Sequence, residues 1–141
     1  MKRVLDASVL VAALVDSGPA GQWAEQLLSS ASLCGPQILP VETANILRRA
    51  ELAGDLDATA ASLAHHTLCA LPMTLFDYEP LADRVWALRH NLTAYDANYV
   101  ALAEALDCEL ATLDRRLAKA SGPLCRFLLP PQEPLQDPGR A

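Results

Sequence analysis

The amino-acid sequence predicts a single α/β domain whose mostly parallel sheet is covered by helices on both faces. Short apolar runs of strand length alternate with amphipathic stretches of helix length, and such alternation implies crossover connections between parallel strands. The chain has 141 residues, of which 52% are hydrophobic and only 5% aromatic. A core built from Ala, Leu and Val suits helices packed on a sheet better than an aromatic-rich sandwich.

The first third of the chain predicts the order strand, helix, helix, strand. The predicted segments are a buried strand at residues 2–5, helices at 7–15 and 20–30, and a weak strand at 32–34. Asp16-Ser17-Gly18 ends the first helix, and Gly35-Pro36 closes the second strand.

The middle of the chain predicts helices separated by one strand. A helix begins near Pro40, a residue favoured in the first helical turn, and stops before Gly54-Asp55. Apolar residues spaced three to five positions apart predict a further amphipathic helix, namely Leu56, Ala60, Leu63, Leu68 and Leu71. A strand at 74–76 and a helix from about 81 to 90 follow.

The last third predicts one long helix and two strands. Thr93 to Asp96 spells a capping-box pattern at the start of a helix that ends near Leu106. Strands are expected at residues 109–113 and 124–128. Four prolines follow Leu129, so we expect one domain over residues 1–128 and a disordered Pro-rich tail over 129–141.

The apolar segments are too short for a membrane protein. The longest, Val9 to Val15, falls well below the roughly 20 residues that a bilayer requires. Lys2 and Arg3 before an apolar run imitate a signal peptide, but Asp6 interrupts that run. We therefore expect a cytoplasmic protein.

The four cysteines are widely separated and form no C-x-x-C pair. They are Cys34, Cys69, Cys108 and Cys125. This spacing argues against a zinc site and favours reduced thiols over disulfides.

Four acidic residues are predicted to meet at one edge of the sheet. Asp6 ends the first strand and Asp114 ends a late strand, so parallel strands would carry both to the same edge, where open α/β sheets have their working crevice. Glu42 and Asp96 lie in the first turns of two helices that start from that edge. Several ionised carboxylates in one cleft repel each other unless a cation joins them, and hard oxygen ligands suit Mg²⁺ or Mn²⁺.

Each of these acids also has a purely structural explanation. Asp6 and Asp114 could be helix N-caps, and Glu42 and Asp96 could complement helix dipoles. The site hypothesis rests on the four together.

Neighbouring polar residues fit supporting roles. Ser8 and Thr112 each lie two positions from an acid of the proposed cluster and are expected to orient a carboxylate or a bound water. Asn45 and Arg49 share a helical stripe with Glu42, which would let Arg49 reach a phosphate. Arg115 is a second candidate for phosphate binding.

The net charge of −6 counts against a nucleic-acid binder, which usually carries a positive balance. A bound divalent cation would offset part of that charge. The basic residues are also bunched, in the groups Arg48 with Arg49, Arg84 with Arg89, and Arg115 with Arg116 and Lys119.

At these residues the sequence resembles the PIN-domain nucleases, and most closely the VapC-type toxins of bacterial toxin–antitoxin pairs. The matching stretches are residues 4–8, 42–49, 94–103 and 111–117, and their order and spacing cover about residues 2 to 128. The third and fourth stretches are the most specific.

The resemblance implies a PIN-like fold, a homodimer and Mg²⁺- or Mn²⁺-dependent cleavage of RNA. It also implies an antitoxin partner whose C-terminal segment lies over the acidic cleft. Asp6, Glu42, Asp96 and Asp114 match the acidic positions of the family, with the three aspartates holding metal most directly and Glu42 either ligating or positioning the water. The Pro-rich end has no counterpart in the family pattern.

Other functions fit the sequence less well. A response-regulator receiver needs an acidic pair after the first strand, and a haloacid-dehalogenase phosphatase needs a second aspartate where Ser8 stands. No G-x-S-x-G motif is present, and the adjacent His65 and His66 lack the spacing of a metal pair. The remaining alternative is a non-catalytic PIN-like module that binds partners through its cleft.

Overall fold

The computed structural model describes residues 1–132, and residues 133–141 lie outside the described part of the chain. Within it the chain forms one parallel sheet with the strands β1 Lys2–Leu5, β2 Ser32–Pro36, β3 Met73–Phe76, β4 Leu110–Ala111 and β5 Phe127–Leu128. The α-helices are α1 Ala7–Val15, α2 Pro19–Ser30, α3 Leu39–Leu52, α4 Ala58–Ala70, α5 Ala82–Ala87, α6 Ala94–Leu106 and α7 Arg115–Ala118. The α/β architecture predicted from the sequence is confirmed.

The strand order β3-β2-β1-β4-β5 explains why helices cover both faces of the sheet. Crossovers between parallel strands are right-handed, so α1 to α4, which connect β1 to β2 and β2 to β3, lie on one face. The chain then reverses direction to reach β4, so α5 and α6 lie on the other face. The direction changes between β1 and β4, and such a switch point opens a crevice at the carboxyl ends of both strands.

The core is centred on β1 and α6. Val4 and Leu5 are fully buried in the central strand, and α6 packs against β1, β2 and β4. Residues 97–103 of α6 are all buried, because the small alanines among them let neighbouring elements approach from every side. Asp96 lies directly before this buried run and is therefore held at the edge of the core.

Gly35 lets α3 begin close to the sheet. A Cβ atom on Gly35 would lie 2.3 Å from Cδ2 of Leu39, so a larger residue would force this fully buried leucine in the first turn of the helix to shift. This approach sets the position of Glu42, which is in that first turn.

The last two strands are shorter than predicted. Strand β4 ends at Ala111 rather than at 113, because the Thr112 hydroxyl accepts from the Asp114 amide at 3.0 Å and turns the chain into α7. Strand β5 begins at Phe127 rather than at 124, because the Leu124 amide donates to Glu104 at 2.7 Å instead of to the sheet. The helix expected from about 81 is a 3₁₀ turn, Glu79–Leu81, followed by α5.

The start of the predicted tail lies against the domain. The carbonyl of Pro130 accepts a hydrogen bond from Arg115 at 2.8 Å, and Pro131 and Gln132 lie beside α2. The prediction of disorder over 129–141 falls mostly on residues outside the described part. Within residues 1–132, no helix combines the length and the hydropathy that crossing a membrane requires.

An ion pair fastens the segment before β5 to helices α5 and α6. Arg84 donates to Glu104 through Nε at 2.7 Å and through a second nitrogen at 3.0 Å, and it also binds the carbonyl of Gly122. Burial opposes ionisation of Glu104, but the hydrogen bonds from Arg84 and from the Leu124 amide outweigh it, so the pKa of Glu104 lies below its ordinary value.

We predict that Glu104→Gln lowers the free energy of unfolding by about 1–2 kcal/mol at pH 7, since a partly exposed charged network is removed. A group with a lowered folded-state pKa stabilises above its unfolded pKa, about 4.3 for Glu, and loses that stabilisation as pH falls through the folded pKa. The difference between parent and variant should therefore be smaller at pH 3 than at pH 7. Urea unfolding at both pH values, with the exposed Glu25→Gln as control, measures it; a difference independent of pH would contradict the charge argument.

Candidate active site

A cleft of about 710 Å³ lies where β1 and β4 end. It is lined by all four acidic residues singled out in the sequence, namely Asp6, Glu42, Asp96 and Asp114. Each comes from a different element of the chain. The fold therefore brings together carboxylates that are as far as 108 positions apart in the sequence.

Asp6 forms the floor of the cleft and is only 9% exposed. It is the N-cap of α1, because its Oδ1 accepts from the Val9 amide at 3.2 Å. The Ser8 hydroxyl donates to the same oxygen, and the Thr112 hydroxyl donates to Oδ2. The capping role considered from the sequence is real, and it coexists with a place in the cleft.

Two hydroxyl groups connect Asp6 to the chain after β4. Ser8 accepts from the Leu113 amide at 3.1 Å while donating to Asp6. Thr112, which is fully buried, accepts from the Asp114 amide at 3.0 Å while donating to Asp6. These two bridges fix Asp6 relative to the turn that carries Asp114.

Asp114 begins α7 as its N-cap. Its Oδ1 accepts from the amides of Arg116 at 2.9 Å and Leu117 at 3.2 Å. Both of these hydrogen bonds go to Oδ1 rather than to Oδ2, and the side chain of Asp114 is exposed. Asp96 is not a cap, since Thr93 takes that place and accepts from the Asp96 amide at 3.2 Å.

Glu42 is held by a tyrosine of α6. The hydroxyl of Tyr99 donates to Oε2 of Glu42 at 2.5 Å, across a separation of 57 positions. Burial, followed by this hydrogen bond and the nearby carboxylates, raises the pKa of Tyr99, so the phenol stays protonated and acts as a donor.

The surroundings in the cleft disfavour the ionised forms of Asp6 and Asp96. Burial raises the pKa of Asp6, although the hydrogen bonds from Ser8, Thr112 and the Val9 amide act in the opposite direction. Burial also raises the pKa of Asp96, and the charges of Asp114, Asp6 and Glu42, in that order, raise it further. Asp96 is therefore close enough to the other three carboxylates to be repelled by each of them.

The donor chemistry of the cleft fits a hard divalent cation. Its lining offers four carboxylates and the amide of Asn45, and it contains no cysteine or histidine. Oxygen donors of this kind suit Mg²⁺ or Mn²⁺, whose charge would offset the repulsion. Within residues 1–132, no three acidic, cysteine or histidine side chains form a closely grouped metal-binding set. The carboxylates would thus have to move closer together to hold an ion.

Comparison with known proteins identifies the family of this chain. The family model described as PIN domain matches residues 3–123. The chain belongs to the PIN-domain family. It is 39% identical over 129 residues to the VapC ribonuclease Mb0985 of Mycobacterium bovis, covering 92% of this chain and 98% of the relative. It is also 39% identical over 127 residues to the ribonuclease VapC1 of Mycobacterium tuberculosis, covering 89% and 96%.

Solved structures share the fold of this PIN domain. VapBC2 of Rickettsia felis, crystallised with a DNA fragment from its promoter, superposes with a TM-score of 0.66 at 12% identity, covering 92% of this chain and 98% of that one. PAE2754 of Pyrobaculum aerophilum gives the same TM-score at 24% identity, covering 84% and 78%. These structures show the architecture, and the curated relatives place the chain among the VapC ribonucleases.

Of the polar and basic residues singled out in the sequence of this PIN domain, some line the cleft and others do not. Asn45 and Arg49 line the cleft beside Glu42. Arg115 does not line it, because its guanidinium binds the Pro130 carbonyl. In another basic group, Arg84 forms an ion pair with Glu104. Arg89 of the same group lies over the ring of Trp86, with its Cζ atom 4.7 Å from the ring centroid.

Sequence reasoning missed Tyr99 and the apolar rim of the cleft. Tyr99 lies three positions after Asp96 on the same face of α6, and that spacing could have revealed it. Ile38, Val41 and Tyr95 also line the cleft, with Val41 68% and Tyr95 60% exposed. Exposed apolar residues are too common on surfaces for their sequence positions to identify a rim.

We predict that Thr112→Val lowers the free energy of unfolding by about 1–3 kcal/mol, because it leaves a buried oxygen of Asp6 and the Asp114 amide without a partner. Thr43→Val is the matched control, since Thr43 is equally buried but its hydroxyl binds only the carbonyl of Leu39 in its own helix. Urea unfolding measures both variants. Equal losses for the two variants would show that the bridge to Asp6 contributes nothing of its own.

Proposed function

We propose that this PIN domain is the toxin of a VapBC-type pair and hydrolyses RNA phosphodiester bonds with Mg²⁺ or Mn²⁺ held in the acidic cleft. The observation that carries the proposal is the meeting of four carboxylates from four elements in one cleft, where Asp96 is repelled by the other three. The 39% identity to VapC ribonucleases over nearly their whole length supports RNA as the substrate class.

The four carboxylates have different tasks in this proposal. Asp6, Asp96 and Asp114 hold the metal most directly, and Glu42 either ligates it or positions the attacking water. Bound divalent ions supply Lewis acidity and lower the pKa of water. Tyr99 fixes one oxygen of Glu42 and leaves the other free to face the cleft, which keeps the direction of this carboxylate constant.

The substrate phosphate needs positive charge at the rim of a negatively charged cleft. Arg49 lines the cleft and is exposed, so it can reach a phosphate that lies over the metal. Ser8 and Thr112 keep Asp6 in place during turnover, since both hydroxyls are fixed from the other side by backbone amides. We assign Arg115 no contact with the scissile phosphate, because it is bound to Pro130.

We further propose an antitoxin that covers the cleft. The exposed Val41 and Tyr95 next to the acids suit a segment that carries both apolar and basic side chains. The assembly of toxin and antitoxin in related structures supports such a partner. A homodimer and a cytoplasmic location remain predictions from the family resemblance and the sequence. A neighbouring reading frame that encodes a short DNA-binding protein would support the pairing.

The competing proposal is a non-catalytic PIN-like module that binds partners through the cleft. The net charge of −6 is the observation that favours it, since a negative protein repels RNA. RNA cleavage that EDTA abolishes and added Mg²⁺ restores would exclude this alternative.

We predict that Asp6→Asn and Asp96→Asn each reduce cleavage of single-stranded RNA in Mg²⁺ by about 100-fold or more, because each removes a charged ligand from the metal site. The exposed Asp83→Asn, which removes the same charge outside the cleft, is the control and should cleave like the parent. Gel-based initial rates measure the effect. If both site variants cleave like the parent, the assignment of the carboxylates is wrong.

A further inference from the structure

A second cavity adjoins the acidic cleft. It has a volume of about 370 Å³ and is lined by Gln37, Ile38, Tyr78, Ala94, Tyr95 and Asn98. Ile38 and Tyr95 line both the cleft and this cavity, so the two spaces are neighbours across one shared wall. None of the four carboxylates of the cleft lines the second cavity.

The cavity contains a buried amide without a hydrogen-bond partner. Asn98 is 8% exposed, and its Oδ1 has no partner among the residues that the structure describes. An unpaired buried acceptor costs roughly 1–3 kcal/mol, so its presence calls for a ligand or another explanation. The terminal torsion of an Asn side chain is soft, and a rotation within the wall of the cavity presents either its oxygen or its NH₂ group.

The other walls of the cavity are aromatic and neutral. Tyr78 and Tyr95 are 47% and 60% exposed, so both rings are accessible from solvent. The side chain of Gln37 donates to Asp77 at 3.3 Å, so an acidic group borders the cavity and disfavours a phosphate inside it. Aromatic rings with a neutral amide are instead the groups that bind an unstacked base of single-stranded RNA.

We infer that this cavity, defined by Tyr78, Tyr95 and Asn98, binds the base of a nucleotide next to the scissile phosphate. The inference rests on the proposed ribonuclease function, because it needs an RNA strand in the acidic cleft. The base stacks on the tyrosine rings, and Asn98 turns either its oxygen or its NH₂ group toward the hydrogen-bonding edge of the base. The cavity thereby makes cleavage depend on the base at that position.

Binding of a base can be measured without any cleavage. We would titrate the ¹⁵N-labelled protein, free of divalent ions, with adenosine, guanosine, cytidine and uridine 5′-monophosphates and follow the side-chain amide of Asn98 by NMR. We expect at least one nucleotide to shift this signal. We also expect Tyr78→Ala to weaken nucleotide binding about tenfold, because a stacking partner of the base is lost. Backbone amide signals would report the binding of nucleotide to this variant.

Asn98→Ala is the central variant for activity, and it should fold. The amide oxygen that it removes has no partner, and alanine is favoured inside a helix. Two single-stranded RNAs that differ only in having or lacking the base beside the cleaved bond would be compared. The parent should prefer the intact RNA about tenfold in kcat/KM, and Asn98→Ala should lose this preference while still cleaving both. Asn91→Ala, on the exposed turn before α6, is the matched control.

Each outcome decides the inference. Absence of nucleotide-induced shifts together with an unchanged preference in Asn98→Ala would overturn it while leaving the ribonuclease assignment intact. If the parent cleaves no RNA, the proposed function fails, and the NMR titration alone decides whether a base binds. If Tyr78→Ala and Tyr95→Ala abolish self-association in the ultracentrifuge and no nucleotide binds, the surface faces a second copy of the chain and the inference is wrong.

Discussion

The hydrogen-bonded carboxylate of Asp6 is the constraint on which the rest of the structure depends. The central strand β1 ends in a charge that is nine-tenths buried, and such a charge is stable only when it is fully hydrogen bonded. The Ser8 and Thr112 hydroxyls and the Val9 amide meet this need. Because both hydroxyls are also bound by amides that follow β4, the same contacts set the distance between the ends of the two strands.

The helix termini help to explain how a cleft can hold four acids with one arginine, Arg49, in its lining. Asp6 and Asp114 cap α1 and α7, and Glu42 and Asp96 lie in the first turns of α3 and α6. The amino ends of these four helices carry partial positive charge from unpaired amides. This charge lowers the cost of gathering the carboxylates but does not remove it, since the pKa of Asp6 and that of Asp96 remain raised. A divalent cation would offset the part of this cost that the helix termini do not remove.

Much of the fold was predictable because its signals are local. The order of strands and helices follows from apolar periodicity and from turn residues such as Gly54, which adopts a positive φ of 82°. The four acids were predictable because a strand end and a helix start mark the same edge of a parallel sheet. The positions of Asn45 and Arg49 in the cleft followed from helical spacing with Glu42.

The missed features depend on contacts between distant parts of the chain. The bond between Tyr99 and Glu42 spans 57 positions. Arg115 was expected to reach phosphate, whereas the nearby carbonyl of Pro130 binds it. The unpaired amide of Asn98 can be recognised only once the elements around it are packed. The strength of these contacts comes from burial, which a sequence pattern does not report.

Calorimetric titration with Mn²⁺ tests the central claim most directly, because it asks whether the carboxylates form one ligand set. The account predicts that the parent protein takes up Mn²⁺, that Asp96→Asn weakens this binding at least about tenfold, and that the exposed Asp83→Asn leaves it unchanged. A protein that takes up no Mn²⁺, or one whose binding is the same in all three forms, would contradict the account.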